Sequence, residues 1–438
     1  MDVTPELALA LGRAASRVLG SSASHARVVV GVDSRRSGEL LAAALSAGMA
    51  SEGLDVVDLG IVPTPAVALA AQRDHVLGAM ISASHNPFAD NGIKFFAPGG
   101  AKLPDAVEAD IESELDRMLG GATSSLAVRL GADVGRITRD PTFIDTYVEH
   151  VVGSLEGRRL DGLRVVLDTA NGATSEAAPA VFRALGADVI VIHHTPDGTN
   201  INADCGSTHP ESLQAAVRTH GAHAGFAFDG DADRMLAVDA DATVVDGDQI
   251  LAMLAVDRRA RSRLTHDTVV VTVMTNLGFR LAMAEQGVTV VDTAVGDRYV
   301  LEAMIAGGFV LGGEQSGHVI NADIATTGDG TLSAALVADL LVRSGRSLAE
   351  LGTVMTRLPQ VLRNVTGVDR ARLETADELW ADVRTVEAGL AGRGRVLLRP
   401  SGTEALVRVM VEAPTHAAAA AAANRLCQTV ERVLGPSS

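Results

Sequence analysis

Three stretches of the chain repeat one order of apolar and polar positions. Each begins with an apolar run, passes through a polar turn into a helix-like stretch, and ends in a second apolar run. The opening runs are 28–33, 165–168 and 269–272, the helix-like stretches are 40–49, 177–185 and 278–286, and the closing runs are 56–59, 189–192 and 288–291. Strands that alternate with helices predict parallel or mixed sheets covered by helices.

The three copies begin more than 100 residues apart, which is too far for the stacked repeats of a solenoid. We therefore predict three similar α/β domains. An α/β protein without internal similarity would show part of the same pattern, so that alternative stays open at this point.

The C-terminal part has a different pattern. Runs at 358–362, 395–398 and 406–411 alternate as in an antiparallel sheet, and the alanine-rich stretch 416–434 is typical of a helix. These features predict a smaller α+β domain. The first residues predict a capped amphipathic helix, because Thr4-Pro5-Glu6 precedes apolar residues at helical spacing.

A chain of 438 residues is too long for one core and suggests three or four domains. The changes of pattern place the domains at 1–139, 140–238, 239–352 and 353–438. No low-complexity linker marks these limits.

Composition narrows the function classes. The net charge of −17 argues against a nucleic-acid partner, which needs a basic face, but it allows a small phosphorylated substrate. No apolar run approaches the ~18 residues of a membrane span, and the N-terminus lacks the features of a signal peptide. Cys205 and Cys427 match no metal or redox spacing, so we expect a reducing cytoplasm.

The segment 81–87 is the most informative part of the sequence. It places Ser84 among small and turn-forming residues, with His85 beside it and Lys94 ten residues on. Serine is a weak nucleophile unless a neighbour activates it. Only two basic residues are lysines, and lysine, unlike arginine, can lose its proton. We interpret Lys94 as functional and Lys102 as a surface residue.

An acidic triplet follows the apolar run 225–228. Asp229, Asp231 and Asp233 alternate, so their side chains can point the same way and supply the oxygen ligands that Mg²⁺ prefers. An EF-hand loop is excluded because its sixth position, here Arg234, must be glycine. The alternative is a solvated acidic turn, but three close carboxylates repel one another without a cation. Arg234 would then face a phosphoryl group beside the metal.

The loop 399–404 predicts an anion site. It offers two hydroxyl groups, at Ser401 and Thr403, and backbone N–H groups around Gly402, with the guanidinium groups of Arg399 and Arg408 close by. The alternative is a polar hairpin turn.

A second polar loop, 312–318, follows an apolar run and carries Glu314, Ser316 and His318, which suit sugar hydroxyls. His318 could also move a proton near neutral pH. The sequence contains neither a P-loop nor a dinucleotide fingerprint, which disfavours a nucleotide-dependent kinase or a dehydrogenase.

Together and in this order, the motifs resemble the α-D-phosphohexomutase family over nearly the whole chain. The resemblance implies four domains around a central cleft, a phosphoserine at Ser84, one Mg²⁺ and phosphoryl transfer on a small phosphosugar. It implies these roles: Ser84, His85, Lys94, Arg234 and His318 in catalysis, Ser84, Asp229, Asp231 and Asp233 at the metal, and Arg35, Glu314, Ser316, Arg399, Ser401, Gly402, Thr403 and Arg408 at the substrate.

Four further segments favour the branch of the family that acts on glucosamine phosphate: 205–209, 295–300, Gln315 and 359–362. That branch implies interconversion of the 6- and 1-phosphates, with glucosamine or glucose 1,6-bisphosphate as activator, and it allows a homodimer.

One departure stands out: family members carry a short strand and a glycine-rich loop before the first helix. Either the true start lies upstream, or this form lacks part of the site.

Three other functions are compatible with parts of the sequence. A phosphatase with an aspartyl nucleophile would need threonine where Asp233 stands. A non-catalytic protein that binds sugar phosphates would use the same loops. An enzyme of the same family could act on glucose or mannose phosphate instead.

Overall fold

The computed structural model describes residues 3–20, 26–120, 129–401 and 404–435. Within these ranges the strands form four sheets. The chain divides into two compact units, one of residues 1–274 and 287–354 and one of residues 275–286 and 355–438. The first unit contains three mixed sheets and the second an antiparallel one. The predicted architecture of three α/β domains and a smaller α+β domain is confirmed, while the exact domain limits stay predictions.

The first sheet has the strand order β4-β3-β1-β2-β5, and only β4 runs antiparallel to its neighbour. Thr4 caps its first helix by accepting a hydrogen bond from the backbone N–H of Leu7, as the sequence predicts. The elements are α1 (Pro5–Leu19), β1 (Arg27–Val32), α2 (Gly38–Ser51), β2 (Asp55–Ile61), α3 (Thr64–Asp74), β3 (Leu77–Ile81), β4 (Ile93–Phe96), α4 (Asp105–Leu119) and β5 (Ile137–Arg139).

The second sheet has the order β10-β9-β8-β6-β7, with β6, β7 and β8 parallel and β9 and β10 antiparallel. Its elements are α5 (Phe143–Gly153), β6 (Arg164–Asp168), α6 (Ala177–Ala184), β7 (Asp188–Ile192), α7 (Glu211–His220), β8 (Ala224–Phe228), β9 (Met235–Asp239) and β10 (Val244–Val245).

The third sheet has the order β12-β11-β13-β14, and β14 is antiparallel to β13. The helix α9, which the repeated pattern predicts after β11, belongs to the second unit. The elements are α8 (Gly247–Ala260), β11 (Thr268–Thr272), α9 (Leu277–Glu285), β12 (Thr289–Thr293), α10 (Asp297–Gly307), β13 (Leu311–Gly313), β14 (Val319–Asn321), α11 (Gly330–Ser344) and α12 (Leu348–Gly352).

The fourth sheet is antiparallel, in the order β15-β17-β16. Glu412 at its end is fully buried and accepts hydrogen bonds from the backbone N–H of Leu277, at 2.8 Å, and from Nε of Arg395, at 2.8 Å. These bonds tie α9 to the sheet. The remaining elements are β15 (Gln360–Thr366), α13 (Asp377–Leu390), β16 (Arg395–Pro400), β17 (Leu406–Glu412) and α14 (His416–Leu434).

Burial explains why the opening apolar runs form central strands. Five of the six residues of β1 are buried, and so are all five of β3, β8 and β11, because helices cover both faces of a parallel sheet. In the described part of the chain, no helix combines the length and apolar character that crossing a bilayer requires.

Asp329, the N-cap of α11, gives the fold a predicted pH dependence. Its carboxylate accepts hydrogen bonds from the backbone N–H of Leu332, at 2.9 Å, and from the hydroxyl of Tyr147, at 2.8 Å. Burial outweighs these bonds and raises the pKa of Asp329 to about 6. An acid with a raised pKa binds more protons folded than unfolded, so its contribution to stability falls as the pH rises from about 4 to 6.

We therefore expect Asp329→Asn to be more stable than the wild type above pH 6, by up to about 3 kcal/mol, and to lose that advantage at about pH 4. Asparagine still caps the helix and accepts the tyrosine hydrogen bond. Thermal unfolding of both proteins between pH 4 and 8 measures the difference. A Tm difference that does not change with pH would contradict the prediction.

Candidate active site

An acidic loop joins β8 to β9 and contains Asp229, Asp231 and Asp233. The three side chains are buried, and one oxygen of each lies within 4.8 Å of the other two. Burial, followed by repulsion from Asp233 and Asp231, raises the pKa of Asp229 well above its usual value. The sheet therefore gathers three carboxylates that repel one another.

The cluster fits a hard divalent cation. Among the described residues, Oδ1 of Asp231 and Oδ1 of Asp233 are buried and have no hydrogen-bond partner. Buried carboxylate oxygens are costly without a partner, and a cation that prefers oxygen ligands would satisfy them. The three aspartates could hold a metal ion.

Ser84 lies in the loop between β3 and β4, and its hydroxyl donates a 2.6 Å hydrogen bond to Oδ2 of Asp229. The serine is 8% exposed, and its backbone is left-handed, with φ at +51°. That conformation costs a residue other than glycine about 1–2 kcal/mol, so surrounding contacts must hold it. The acidic loop passes close by, because a Cβ atom on Gly230 would lie 2.6 Å from the carbonyl oxygen of Ser84.

His85 and Arg234 meet beside the serine. Nδ1 of His85 lies 3.1 Å from Nη1 of Arg234 and 3.4 Å from Oγ of Ser84. A guanidinium can only donate, so Nδ1 of the histidine accepts and carries no proton. Burial first, and then the arginine charge, lowers the pKa of His85. The backbone N–H of Arg234 also donates to Asp229, at 3.1 Å.

Lys94, on β4, is an ion-pair partner of the acidic loop. Its Nζ lies 2.8 Å from Oδ2 of Asp231 and 3.5 Å from Oδ2 of Asp233. Burial alone would lower the pKa of Lys94, but the charges of the two carboxylates outweigh the effect of burial and raise this pKa. The same lysine, with His318, helps to hold the pKa of Asp233 well below its usual value, although burial alone would raise it.

The third sheet contributes the loop between β13 and β14. Ser316 is exposed, and Glu314 is half-buried, with its carboxylate accepting the backbone N–H of Gly296 at 3.2 Å. The backbone N–H of Met235 donates to the carbonyl of Gly317 at 3.1 Å, which joins this loop to the second sheet next to the acidic loop.

His318 is only 2% exposed. Its Nδ1 lies 3.6 Å from Asp233, and its Nε2 lies 3.5 Å from Asp297 and accepts a 3.2 Å hydrogen bond from the backbone N–H of Gly328. Because Nε2 accepts, the neutral ring carries its proton on Nδ1, which faces Asp233.

The second unit carries the predicted anion loop. Arg399 and Arg408 are paired across β16 and β17. Burial, followed by repulsion from Arg408, lowers the pKa of Arg399, and Nε of Arg408 is buried without a hydrogen-bond partner in the described part of the chain. Two close guanidinium groups with an unused donor suit a bound anion. Ser401 is buried, while Gly402 and Thr403 lie outside the described residues.

The structure adds residues that the sequence analysis missed. The hydroxyl of Thr64 donates to Oδ2 of Asp231 at 2.6 Å, and Asn202 binds the carbonyls of the serine loop. The only available signal for Thr64 is its position between two prolines after a strand. Lys102 is not a leftover surface residue, because its ammonium binds the carboxylate of Asp297.

Family models match four consecutive parts of the chain. All four describe phosphoglucomutase/phosphomannomutase: α/β/α domain I at residues 1–119, domain II at 145–242, domain III at 246–358 and the C-terminal domain at 362–429. The phosphoglucosamine mutase of Thermobifida fusca is 55% identical over 433 residues, which cover 98% of this chain and 95% of that protein. The phosphoglucosamine mutase of Frankia casuarinae is 54% identical over 446 residues, 100% and 96% of the two chains.

A solved structure has the same fold. The phosphoglucomutase/phosphomannomutase family protein of Burkholderia thailandensis has a TM-score of 0.81 at 26% identity and covers 98% of this chain and 94% of its own. The four family models match consecutive parts of the chain, and these parts contain the predicted motifs and the helices and strands of the structure. The chain therefore belongs to the phosphoglucomutase/phosphomannomutase family, and it is an enzyme of the mutase class.

Proposed function

We propose that the chain interconverts glucosamine 6-phosphate and glucosamine 1-phosphate through a phosphoserine at Ser84 and a 1,6-bisphosphate intermediate. The observation that supports this most is the 2.6 Å hydrogen bond from the Ser84 hydroxyl to Asp229, within a cluster of three buried carboxylates. Relatives named phosphoglucosamine mutase, at 51–55% identity over 98–100% of this chain, support the choice of sugar.

We propose Mg²⁺ as the metal, held by Asp229, Asp231, Asp233 and the phosphorylated Ser84. When bound, such an ion neutralises charge on the phosphoryl group that is transferred. Asp231 keeps its orientation because Thr64 and Lys94 both bind its Oδ2, which leaves Oδ1 free for a ligand.

In the first half-reaction, the bond between Oγ of Ser84 and phosphorus breaks, and a bond forms between phosphorus and a sugar hydroxyl oxygen. The hydroxyl proton passes to a base. His318 and Lys94 are the candidate proton carriers, and Lys94, which Asp231 and Asp233 hold as an ammonium ion, fits the acid that returns a proton to the sugar oxygen. After the bisphosphate turns over, its other phosphoryl group returns to Ser84 and the sugar oxygen regains a proton. His85 and Arg234, which contact each other beside Ser84, would orient the phosphoryl group.

Other residues would hold the sugar. Glu314 and Ser316 are the candidates for binding its hydroxyls. Arg399, Ser401 and Arg408, together with Gly402 and Thr403, would bind the phosphate that is not being transferred. Guanidinium groups grip a phosphate without reading the rest of the molecule, which suits a sugar that binds in two orientations.

We further propose that a trace of glucosamine or glucose 1,6-bisphosphate primes Ser84. Cys205 and Cys427 are both free thiols, which supports a reducing cytoplasm as the compartment. A homodimer is a separate proposal that sedimentation analysis would test.

The test is ³¹P NMR of glucosamine 6-phosphate with the full chain, Mg²⁺ and a trace of glucose 1,6-bisphosphate. We expect a 1-phosphate signal that grows until equilibrium and needs both metal and bisphosphate. Parallel reactions with glucose 6-phosphate and mannose 6-phosphate should give lower kcat/KM values. A spectrum that stays unchanged with all three sugars would contradict the proposed mutase reaction. A higher kcat/KM for glucose 6-phosphate or mannose 6-phosphate would identify that sugar phosphate as the substrate instead.

A further inference from the structure

A network of buried hydrogen bonds holds the Ser84 loop, and Arg35 is at its centre. Nη2 of the arginine donates to the carbonyl oxygens of Ser84, at 3.0 Å, and of Asn86, at 2.8 Å, while Nη1 donates to the carbonyl of Pro87. Nε donates to Asp33 at 2.9 Å. The arginine is 3% exposed, so its donors serve the loop and a neighbouring carboxylate.

Asn202, in the segment between β7 and α7, binds the same loop. Its Nδ2 donates to the carbonyl of Ser84 at 2.9 Å and to that of Asn86 at 3.1 Å. These two carbonyls therefore each accept hydrogen bonds from two side chains, one in the loop after β1 and one in the segment after β7. Asn202 is 9% exposed.

The N–H side of the turn is fixed as well. The backbone N–H of Ser84 donates to the hydroxyl of Ser82 at 2.9 Å, and that hydroxyl donates to Asp33 at 2.7 Å. Asp33 thus links the arginine to the serine N–H. The left-handed backbone of Ser84 is held from both sides, and its hydroxyl points at Asp229.

We propose that Arg35 and Asn202 form a carbonyl clamp that positions Ser84 for phosphoryl transfer, and that Arg35 does not bind the substrate phosphate. Both are positioning residues, since each acts through the backbone of the loop. This assignment rests on the proposed function and replaces the substrate-binding role that the family resemblance suggests for Arg35.

The experiment compares Arg35→Lys, Asn202→Ala and the double variant with the wild type in two measurements. One is the single-turnover rate of Ser84 phosphorylation by saturating glucose 1,6-bisphosphate, followed by intact mass. The other is the Kd of the unphosphorylated protein for glucosamine 6-phosphate. Lysine keeps the charge but cannot hold three carbonyls as the planar guanidinium does.

We expect each single variant to slow phosphorylation about 10- to 100-fold while the Kd stays within about twofold, as for an interaction made only through the serine. The double variant should be at most about threefold slower than the worse single variant, because both side chains hold the same two carbonyls. Arg258→Lys is the control: that arginine is 6% exposed and binds Asp323 through both terminal nitrogens, at 3.0 Å each. It should leave the phosphorylation rate unchanged.

A tenfold weaker Kd in Arg35→Lys would identify the arginine as a phosphate ligand and overturn the proposal. Rate losses that multiply in the double variant would also overturn it, since they would show independent roles. If Arg35→Lys does not fold, Asn202→Ala alone still tests the proposal, because an unchanged rate of Ser84 phosphorylation in that variant would exclude the clamp. A wild type that is never phosphorylated would refute the proposed function itself.

Discussion

Ser84→Ala is expected to lower mutase turnover by more than about a thousandfold, the largest effect of any single substitution in this chain. Without the hydroxyl no phosphoserine forms, and neighbouring groups cannot replace a missing nucleophile. Coupled assay of glucosamine 1-phosphate, with the protein primed by glucose 1,6-bisphosphate, measures the loss. Intact mass after priming should show one added phosphoryl group on the wild type and none on the variant.

The fold should tolerate this change. The variant loses one hydrogen bond and leaves Oδ2 of the buried Asp229 without that donor, which costs about 1–3 kcal/mol, and alanine meets the same backbone strain as serine. Ser344→Ala is the matched control, because its hydroxyl donates to the carbonyl of Leu340 in α11 at 2.7 Å, far from the serine loop in sequence. Turnover by primed Ser84→Ala at the wild-type rate would remove the serine from the mechanism.

Asp231→Asn is expected to have the second largest effect, on metal affinity as well as on turnover. The substitution removes one of three carboxylate charges and places an amide where Thr64 and Lys94 both donate to Oδ2. Changes outside the ligand shell commonly weaken metal binding 10- to 100-fold, and a ligand change should cost at least as much. We expect turnover to fall at least about 100-fold.

Electron paramagnetic resonance of free Mn²⁺ during a titration measures the affinity without relying on activity. Asp239→Asn is a suitable control: Asp239 is 5% exposed and lies on the next strand, where its carboxylate accepts the backbone N–H of Asp241 at 3.0 Å and of Thr243 at 2.8 Å. If Asp231→Asn bound Mn²⁺ as tightly as the wild type, the acidic loop would not be the metal site.

The sequence contained enough information to predict the sheets, because apolar runs bounded by turns form strands wherever helices cover both faces. The sequence also predicts that Ser84 and the acidic triplet serve one site. Each motif is a continuous stretch of sequence, and its chemistry follows from its residue types. The confirmed α/β architecture and family membership rest on that local information.

Contacts between distant segments could not be predicted. Thr64 binds Asp231 across 167 positions, and Asn202 binds the serine loop across 118, and no periodicity encodes either pairing. The ion pair of Lys102 escapes prediction for the same reason, because its partner Asp297 lies 195 residues away at the start of α10. The family resemblance implies a substrate role for Arg35, whereas the positioning role proposed above is argued from its hydrogen bonds to the serine loop, which no local sequence pattern encodes.

The wide sequence separation of Ser84 and Asp229, 145 residues, has a consequence during synthesis. At about 5–20 residues per second, a ribosome delivers the acidic loop roughly 7–30 s after the serine loop. Throughout that interval the nascent chain lacks the carboxylates, and for the first 118 of the 145 residues it also lacks Asn202. We expect its serine turn, held only by Arg35 and Ser82, to stay incompletely ordered and the hydroxyl to stay inert toward cellular sugar phosphates until the second domain has emerged and folded.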